Sequence, residues 1–147
     1  MNTKKFVLAF ILVFILLEIT NYIIHVLILG PVYASEEIKV IFRPQEEMMG
    51  KMWIMYILDV IWSFFFVFFF VKGYENKGIF EGLRFGLYIA LFFNLVNAYG
   101  QYVVFPVPYY LALQWFLYGL VQMLILGALV ALVYKPKAAA EVKPVTV

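Results

Sequence analysis

FVLAFILVFILLEITNYIIHVLIL, residues 6–29, is an almost unbroken apolar run that also holds Glu18, Asn21 and His25, the only histidine of the chain. Its 24 residues, coiled at ~1.5 Å per residue, cover the ~30 Å of a bilayer core with length to spare. A removable leader is the competing reading, because Val32-Tyr33-Ala34 resembles a small-residue cleavage site. Leader cores run only ~7–15 apolar residues, and this run is longer and carries ionisable groups. The stretch reads as a membrane span. Its 18 Leu, Ile, Val and Phe residues each favour insertion by ~0.3–0.6 kcal/mol, against ~2.5–3.5 kcal/mol for one central charge.

The rest of the chain agrees. Of 147 residues, 66% are hydrophobic and 14% charged, and the mean hydropathy is +0.96. No single soluble core could hide so much apolar surface. Three further spans are predicted at about residues 52–71, 83–104 and 110–133, giving an all-α, antiparallel four-helix membrane bundle within residues 1–135. Residues 30–51 read as a polar loop, Lys72 to Gly82 as a Gly-rich loop, Phe105 to Tyr109 as a tight Pro turn, and 136–147 as a disordered tail. Lys4, Lys5, Lys72, Lys77, Arg84, Lys135, Lys137 and Lys143 fall on one side, and Lys39, Arg43 and Lys51 on the other. That bias predicts a cell inner (plasma) membrane protein with both termini cytoplasmic. Trp53, Trp115, Tyr109 and Tyr110 are expected in an outer aromatic belt, and Tyr74 and Tyr134 near the inner surface.

Spans one and three share a pattern, Glu18-x2-Asn21-x3-His25 beside Asn94-x2-Asn97-x3-Gln101, each followed by a Pro-Val turn with a tyrosine. Spans two and four share Trp53-Ile-Met-Tyr56 beside Trp115-Phe-Leu-Tyr118. Two duplicated helical hairpins, related by a pseudo-two-fold along the membrane normal, would account for both matches. Chance similarity of apolar helices is the alternative.

Residues spaced i, i+3, i+7 share a helix face. Glu18, Asn21 and His25 form one such stripe, Asn94, Asn97 and Gln101 a second, Gln114, Tyr118 and Gln122 a third, and Asp59 with Ser63 marks the remaining helix. Measured from span midpoints, Glu18, Asn94 and Gln122 lie within ~2 Å of the bilayer centre, Asn21, Asp59, Asn97 and Tyr118 ~4–5 Å further out, and His25, Gln101 and Gln114 ~11 Å out. The inner continuation of these faces is small or apolar: Ala90, Gly86, Gly82 and Gly78 on span three, Phe66 and Phe70 on span two, Phe14, Ile11 and Val7 on span one. The expected object is a cup, polar towards the outside and closed by packing below the midplane.

Two readings of the polar groups compete. Amides such as Asn97, Gln101, Gln114 and Gln122 serve as interhelical glue at ~0.6 kcal/mol per hydrogen bond. Glu18, Asp59 and His25 are costlier and point to function. Glu18 and Asp59, at similar depth with no basic residue beside them, are candidates for a proton-sharing pair. Met49, Met52 and Met55 with His25 invite a Cu(I) reading, but the chain has no cysteine and no second histidine. Haem would need His-Met ligation or His25 of two copies. The glycines of Lys72-Gly-Tyr-Glu-Asn-Lys-Gly lack phosphate-loop spacing, and no hydrolase elbow or His pair occurs. A hydrolase is therefore not expected, and a membrane enzyme using His25 with Asp59 or Glu18 as an acid-base pair stays open as the less favoured reading. A net charge of +2 gives no reason to expect nucleic acid. Glu81 and Arg84 are expected to pair at the inner surface, and Glu36, Glu37, Glu46 and Glu47 to be solvated.

Asn21-x3-His25, Lys51-Met-Trp-Ile-Met-Tyr, Lys72-Gly-Tyr-Glu-x-Lys-Gly, Glu81-Gly-x-Arg-Phe-Gly and Ala112-Leu-Gln-Trp-Phe-Leu-Tyr-Gly are spread along the whole chain. In them the chain resembles a family of small bacterial four-helix inner-membrane proteins, a resemblance that implies membrane integration and no particular activity. Three functions stay open: a non-enzymatic pocket for a small ligand or ion, protons included; an accessory subunit that packs in the bilayer as a homo-oligomer or in a larger complex; and a quinone-, haem- or copper-associated protein.

Overall fold

Each long helix is bounded by a residue suited to start or stop it. In the computed structural model, which describes residues 1–135, α1 (Thr3–Ile28) starts at Asn2. The Asn2 side chain accepts the Lys5 N–H at 3.1 Å, satisfying one free donor of the first turn. Gly30–Tyr33 (α2), Glu36–Lys39 (α3) and Gln45–Met49 (α4) follow as short helices, started by Pro31, Ser35 and Pro44. Then come α5 (Met52–Lys72), α6 (Ile79–Val104) and α7 (Tyr109–Val133). The break before α7 is set by Pro106 and Pro108, which leave Phe105 and Pro108 extended. No strand occurs among the described residues, and α1, α5, α6 and α7 are each long and apolar enough to cross a membrane. The tail 136–147 lies outside the described residues.

Residue pairings fix how the long helices lie. The Asn2 N–H donates to Tyr134 Oη at 3.1 Å, so the start of α1 and the finish of α7 share one end, here the terminal end. Near the middle of α7, Thr20 and Asn21 meet Gln122, and towards the other end, the loop end, Tyr33 meets Trp115. Along α6 and α7 the partners run in opposite order: Gly82 sits on Gly127 and Ala131, Gly86 on Met123, and Asn94 over Gly119. A Cβ on Gly82 would lie 2.7 Å from Ala131 Cβ and closer still to the Gly127 carbonyl oxygen. The two backbones therefore touch, which is what the sequence ladder of small residues predicted for Gly82, Gly86 and Ala90. Gly78 stands before the helix instead, at φ 70°, a conformation that favours glycine.

The terminal half is closed by apolar packing. Phe6, Val13, Leu17, Phe66, Val67, Phe70, Leu126 and Val130 are buried together. Phe85 of α6 sets its ring edge-on to Phe66 and Phe70, with centroids 4.9 and 5.4 Å apart. Phe66 and Phe70 thus occupy the positions below Asp59 and Ser63 that the sequence pattern gave to closure. Phe64, Phe65 and Phe69 face outwards.

The loop half is looser. Six consecutive residues of α5, Trp53 to Leu58, are exposed, so no face of this stretch is buried. A small second core of Leu29, Ile38, Val107 and Leu111 closes the loop end. Residues 30–51, expected as a polar loop, fold instead into α2 to α4 because Ile38 finds a fully buried place in that core. Glu36, Glu37, Glu46 and Glu47 are all exposed, as expected, and two of them also pair: Glu36 with Lys39, and Glu47 with Arg43 and Lys51. Those hydrogen bonds, from Lys51 first and then Arg43, hold the Glu47 carboxyl below its ordinary value.

The turn between α5 and α6 corrects a sequence expectation. Glu81 does not pair with Arg84. Its buried carboxylate accepts the backbone N–H groups of Glu75 and Lys77 at 2.6 and 2.7 Å, stapling the turn to the first turn of α6. Arg84 reaches Glu75 instead, at 2.7 Å, and Lys77 bonds the same carboxylate oxygen. The Lys77 and Arg84 hydrogen bonds hold the Glu75 carboxyl down to about 2. The reach-back by Glu81 extends α6 upstream of its predicted start at Leu83, since it satisfies N–H groups that would otherwise need water.

Candidate functional site

Both long polar stripes fall on helices that change pitch. In α1 the segment Tyr22–Ile28 is a π-helix, and in α6 so is Ala90–Leu95. The Leu29 N–H, for example, bonds the Ile24 carbonyl five residues back at 2.8 Å. A wider turn changes the face on which later residues emerge, and such segments are common at functional sites. Glu18 and Asn21 precede the first π segment, His25 lies inside it, and the i, i+3, i+7 stripe is broken there. The second segment contains Asn94 and precedes Asn97 and Gln101. The two segments do not fall at the positions the internal match would equate.

The ten sequence candidates divide into groups. In the first, the carboxyls of Glu18 on α1 and Asp59 on α5 lie against one another. Each is about 4 Å towards the loop end from its helix midpoint at ~1.5 Å per residue. Glu18 Oε1 is fully covered and has no hydrogen-bond partner. One turn below Asp59, Ser63 is completely buried and its Oγ is likewise unpartnered.

The second group joins α1 to α7. Gln122, 7% exposed, donates through Nε2 to Thr20 Oγ1 and Asn21 Oδ1, both at 2.8 Å. Thr20 in turn bonds back to the Leu16 carbonyl at 2.8 Å. This group does what interhelical amides are expected to do. Asn94 lies over Gly119, where the missing Cβ makes room for its amide. Tyr118 and Gln114 are half-buried on α7, and Gln114 Oε1 is a third covered oxygen without a partner.

His25 belongs to a third group that the sequence did not suggest. It is exposed, and its Nδ1 meets Tyr33 Oη at 2.9 Å. Trp115, expected in the outer belt, is half-buried and donates Nε1–H to the same oxygen at 2.8 Å. With one lone pair so occupied, the Tyr33 hydrogen is available to His25 Nδ1, an arrangement that leaves the His25 hydrogen on Nε2. Burial pushes the Tyr33 phenol up from its ordinary value, against the lowering effect of the Trp115 bond, so Tyr33 stays a neutral donor. Tyr33→Phe should remove both bonds. The expected result is an upfield shift of the Trp115 indole proton and a mixed His25 tautomer population by nitrogen NMR. An unchanged His25 spectrum would contradict the relay.

Asn97 is exposed and Gln101 half-buried. Gln101 lines a cleft of about 320 Å³ at the loop end with Phe42, Arg43, Met48, Phe105 and Trp115. A smaller hollow of about 150 Å³ lies at the terminal end beside Phe70, Glu81, Arg84 and Tyr88. Met49 and Met55 are exposed and Met52 half-buried, and His25 is engaged with Tyr33. Among the described residues no group of three or more His, Cys, Asp or Glu could hold a metal ion.

Thr20, Tyr33 and Trp115 are the members that sequence reasoning passed over. Thr20 sits next to Asn21 and could have been found from that adjacency. Tyr33 and Trp115 meet only because α2 folds back over α7, which no spacing rule encodes. No family model, curated protein or solved structure matches the chain.

Proposed function

We propose that the chain is a multi-pass protein of the cell inner (plasma) membrane. Its four spans pack antiparallel, its termini are cytoplasmic, and its outward half binds a small ligand or ion. The observation that carries this reading is the position of Glu18, Asp59, Asn94 and Gln114 on the loop side of their helix midpoints, with Gln122 at the midpoint of α7. Intramembrane ionisable groups are expensive and mark ion or substrate sites. The terminal end is the cytoplasmic one because Lys4, Lys5, Lys72, Lys77, Arg84 and Lys135 gather there. The two helical hairpins are a duplication by the matched polar and aromatic patterns of the sequence, with later divergence of the π segments.

The absence of cysteine from the sequence makes the test direct. Single cysteines at Asn97, Val67 and Lys77 should respond differently to a membrane-impermeant maleimide applied to intact cells. Asn97→Cys is expected to label from outside, Val67→Cys not at all, and Lys77→Cys only after disruption. Outside labelling of Lys77→Cys with protection of Asn97→Cys would overturn both the orientation and the outward opening.

A second reading rests on the bare half of α5. Trp53 to Leu58, exposed at six consecutive positions, suits a helix that completes its packing against another chain, as an accessory subunit or a homo-oligomer would. Cross-linking at Met55→Cys would distinguish them: a dimer band supports a second copy, and a larger adduct supports a different subunit.

A further inference from the structure

We infer that Glu18, Asp59 and Ser63 form a binding site for one monovalent metal cation of the Na+ class, held together with one retained proton. Three observations converge. Glu18 and Asp59 meet at the same level of two adjoining helices, Glu18 Oε1 is covered and unpartnered, and Ser63 Oγ is fully buried and unpartnered on the stripe of α5 that carries Asp59. Ser63, Phe66, Val67 and Phe70 are the buried residues of α5. Asp59 continues that stripe at i−4 from Ser63, so the two residues share one face of α5, a turn apart.

Chemistry selects the occupant. A proton shared by the two carboxyls would leave the Ser63 oxygen without a partner, at the cost that buried polar groups normally avoid. A cation seated between them takes all three side chains as oxygen ligands. Ca2+ takes 6–8 oxygens, and two carboxylates with one hydroxyl offer at most five. Mg2+ keeps several of its waters, and the terminal side of this site is closed by Phe66 and Val67. The remaining choice is a monovalent ion. One such ion and one proton balance two carboxylates, leaving no net charge in the hydrocarbon. Among the described residues, Asp59 is the only charged group acting on Glu18, so no Lys, Arg or His competes for the position. At neighbouring levels the helices α6 and α7 carry the amides Asn94, Asn97 and Gln122 and the phenol of Tyr118, none of them a cation. Midplane sites of this kind, between packed helices, are where transporters seat Na+ or H+.

This inference rests on the ion-binding reading of the outward half. The test uses the full chain in nanodiscs at neutral pH, treated with an apolar carbodiimide that modifies protonated buried carboxyls, and read by mass spectrometry of Glu18 and Asp59. With the ion bound, only the carboxyl that keeps its proton can react, so NaCl should slow modification of the other by about tenfold at ten times the dissociation constant, while choline chloride should not. Ser63→Ala should raise the Na+ concentration for half-protection by about tenfold, the effect of ~1.4 kcal/mol of lost ligation. Equal rates in Na+ and choline would overturn the site, as would protection by Ca2+ at lower concentration than Na+, or an unmoved half-protection in Ser63→Ala. Asp59→Asn, judged for folding by gel filtration, should retain Glu18 modification and lose its Na+ sensitivity. Na+ protection with no outside labelling of Asn97→Cys would overturn the outward opening and leave this site standing. Labelling without protection would overturn the site alone.

Discussion

Alanine at Gly82 should cost about 2 kcal/mol, as should alanine at Gly127, and the two together should cost clearly less than the sum. Each Cβ would enter the space of the facing backbone: from Gly82 it meets the Gly127 carbonyl, and from Gly127 it meets the Gly82 carbonyl. Backbone atoms cannot swing aside as a side chain can. The helices must separate, and the separation that accommodates one methyl also accommodates the other. Reversible unfolding in mixed detergent micelles gives the three free energies, and full additivity would show that the two sites are relieved independently. Gly100→Ala is the control, since nothing lies within 4 Å of its added Cβ. There the higher helix propensity of alanine should stabilise by up to ~1 kcal/mol.

The second large effect is expected at Glu81. Its carboxylate is the acceptor for two backbone donors, Glu75 N–H and Lys77 N–H, and the residue is 5% exposed. A charge-assisted hydrogen bond contributes ~1.5–3 kcal/mol. Glu81→Ala should therefore destabilise the α5–α6 turn by about 3 kcal/mol or more by that scale. The loss should be local. Hydrogen exchange at the Glu75 and Lys77 amides should rise by two orders of magnitude or more, roughly as 1.4 kcal/mol corresponds to each factor of ten. The amides of the α6–α7 contact around Gly86 should keep their protection. Glu81→Gln is the informative companion, because its amide oxygen can still accept one of the two bonds. If both variants left exchange at Glu75 and Lys77 unchanged, the turn would be held by Gly78 and the Glu75 ion pairs alone.

The four spans were readable because hydrophobic length is a property of composition, and the seam was readable because Gly82 and Gly86 recur at one turn. The polar residues were readable as a set but not as a grouping. A stripe extrapolated from Glu18 to His25 assumes a constant pitch, and the π segments Tyr22–Ile28 and Ala90–Leu95 break that assumption. Nothing in their apolar sequences announces the wider turn. The loop end was misread for a related reason. Residues 30–51 are polar on average, yet the single buried Ile38 and the bonded Tyr33 decide how they fold. Arg84 was assigned to Glu81 by spacing along a helix, whereas the turn brought Glu75 within 2.7 Å.

The bare half of α5 has a mechanical side. This helix is gripped where Phe66 and Phe70 wedge against Phe85, touches α1 again through Asp59 and Glu18, and ends in the exposed turns Trp53 to Leu58. It is a cantilever. From Phe66 to Trp53 the arm is about 20 Å at ~1.5 Å per residue, so a tilt of about 5° at the grip sweeps its tip by nearly 2 Å by the same geometry. Asp59 sits halfway along that arm. Any change in charge at the carboxyl pair therefore acts on a lever, and a small pull at Asp59 is delivered at Trp53 as roughly twice the displacement, by the ratio of the two arm lengths.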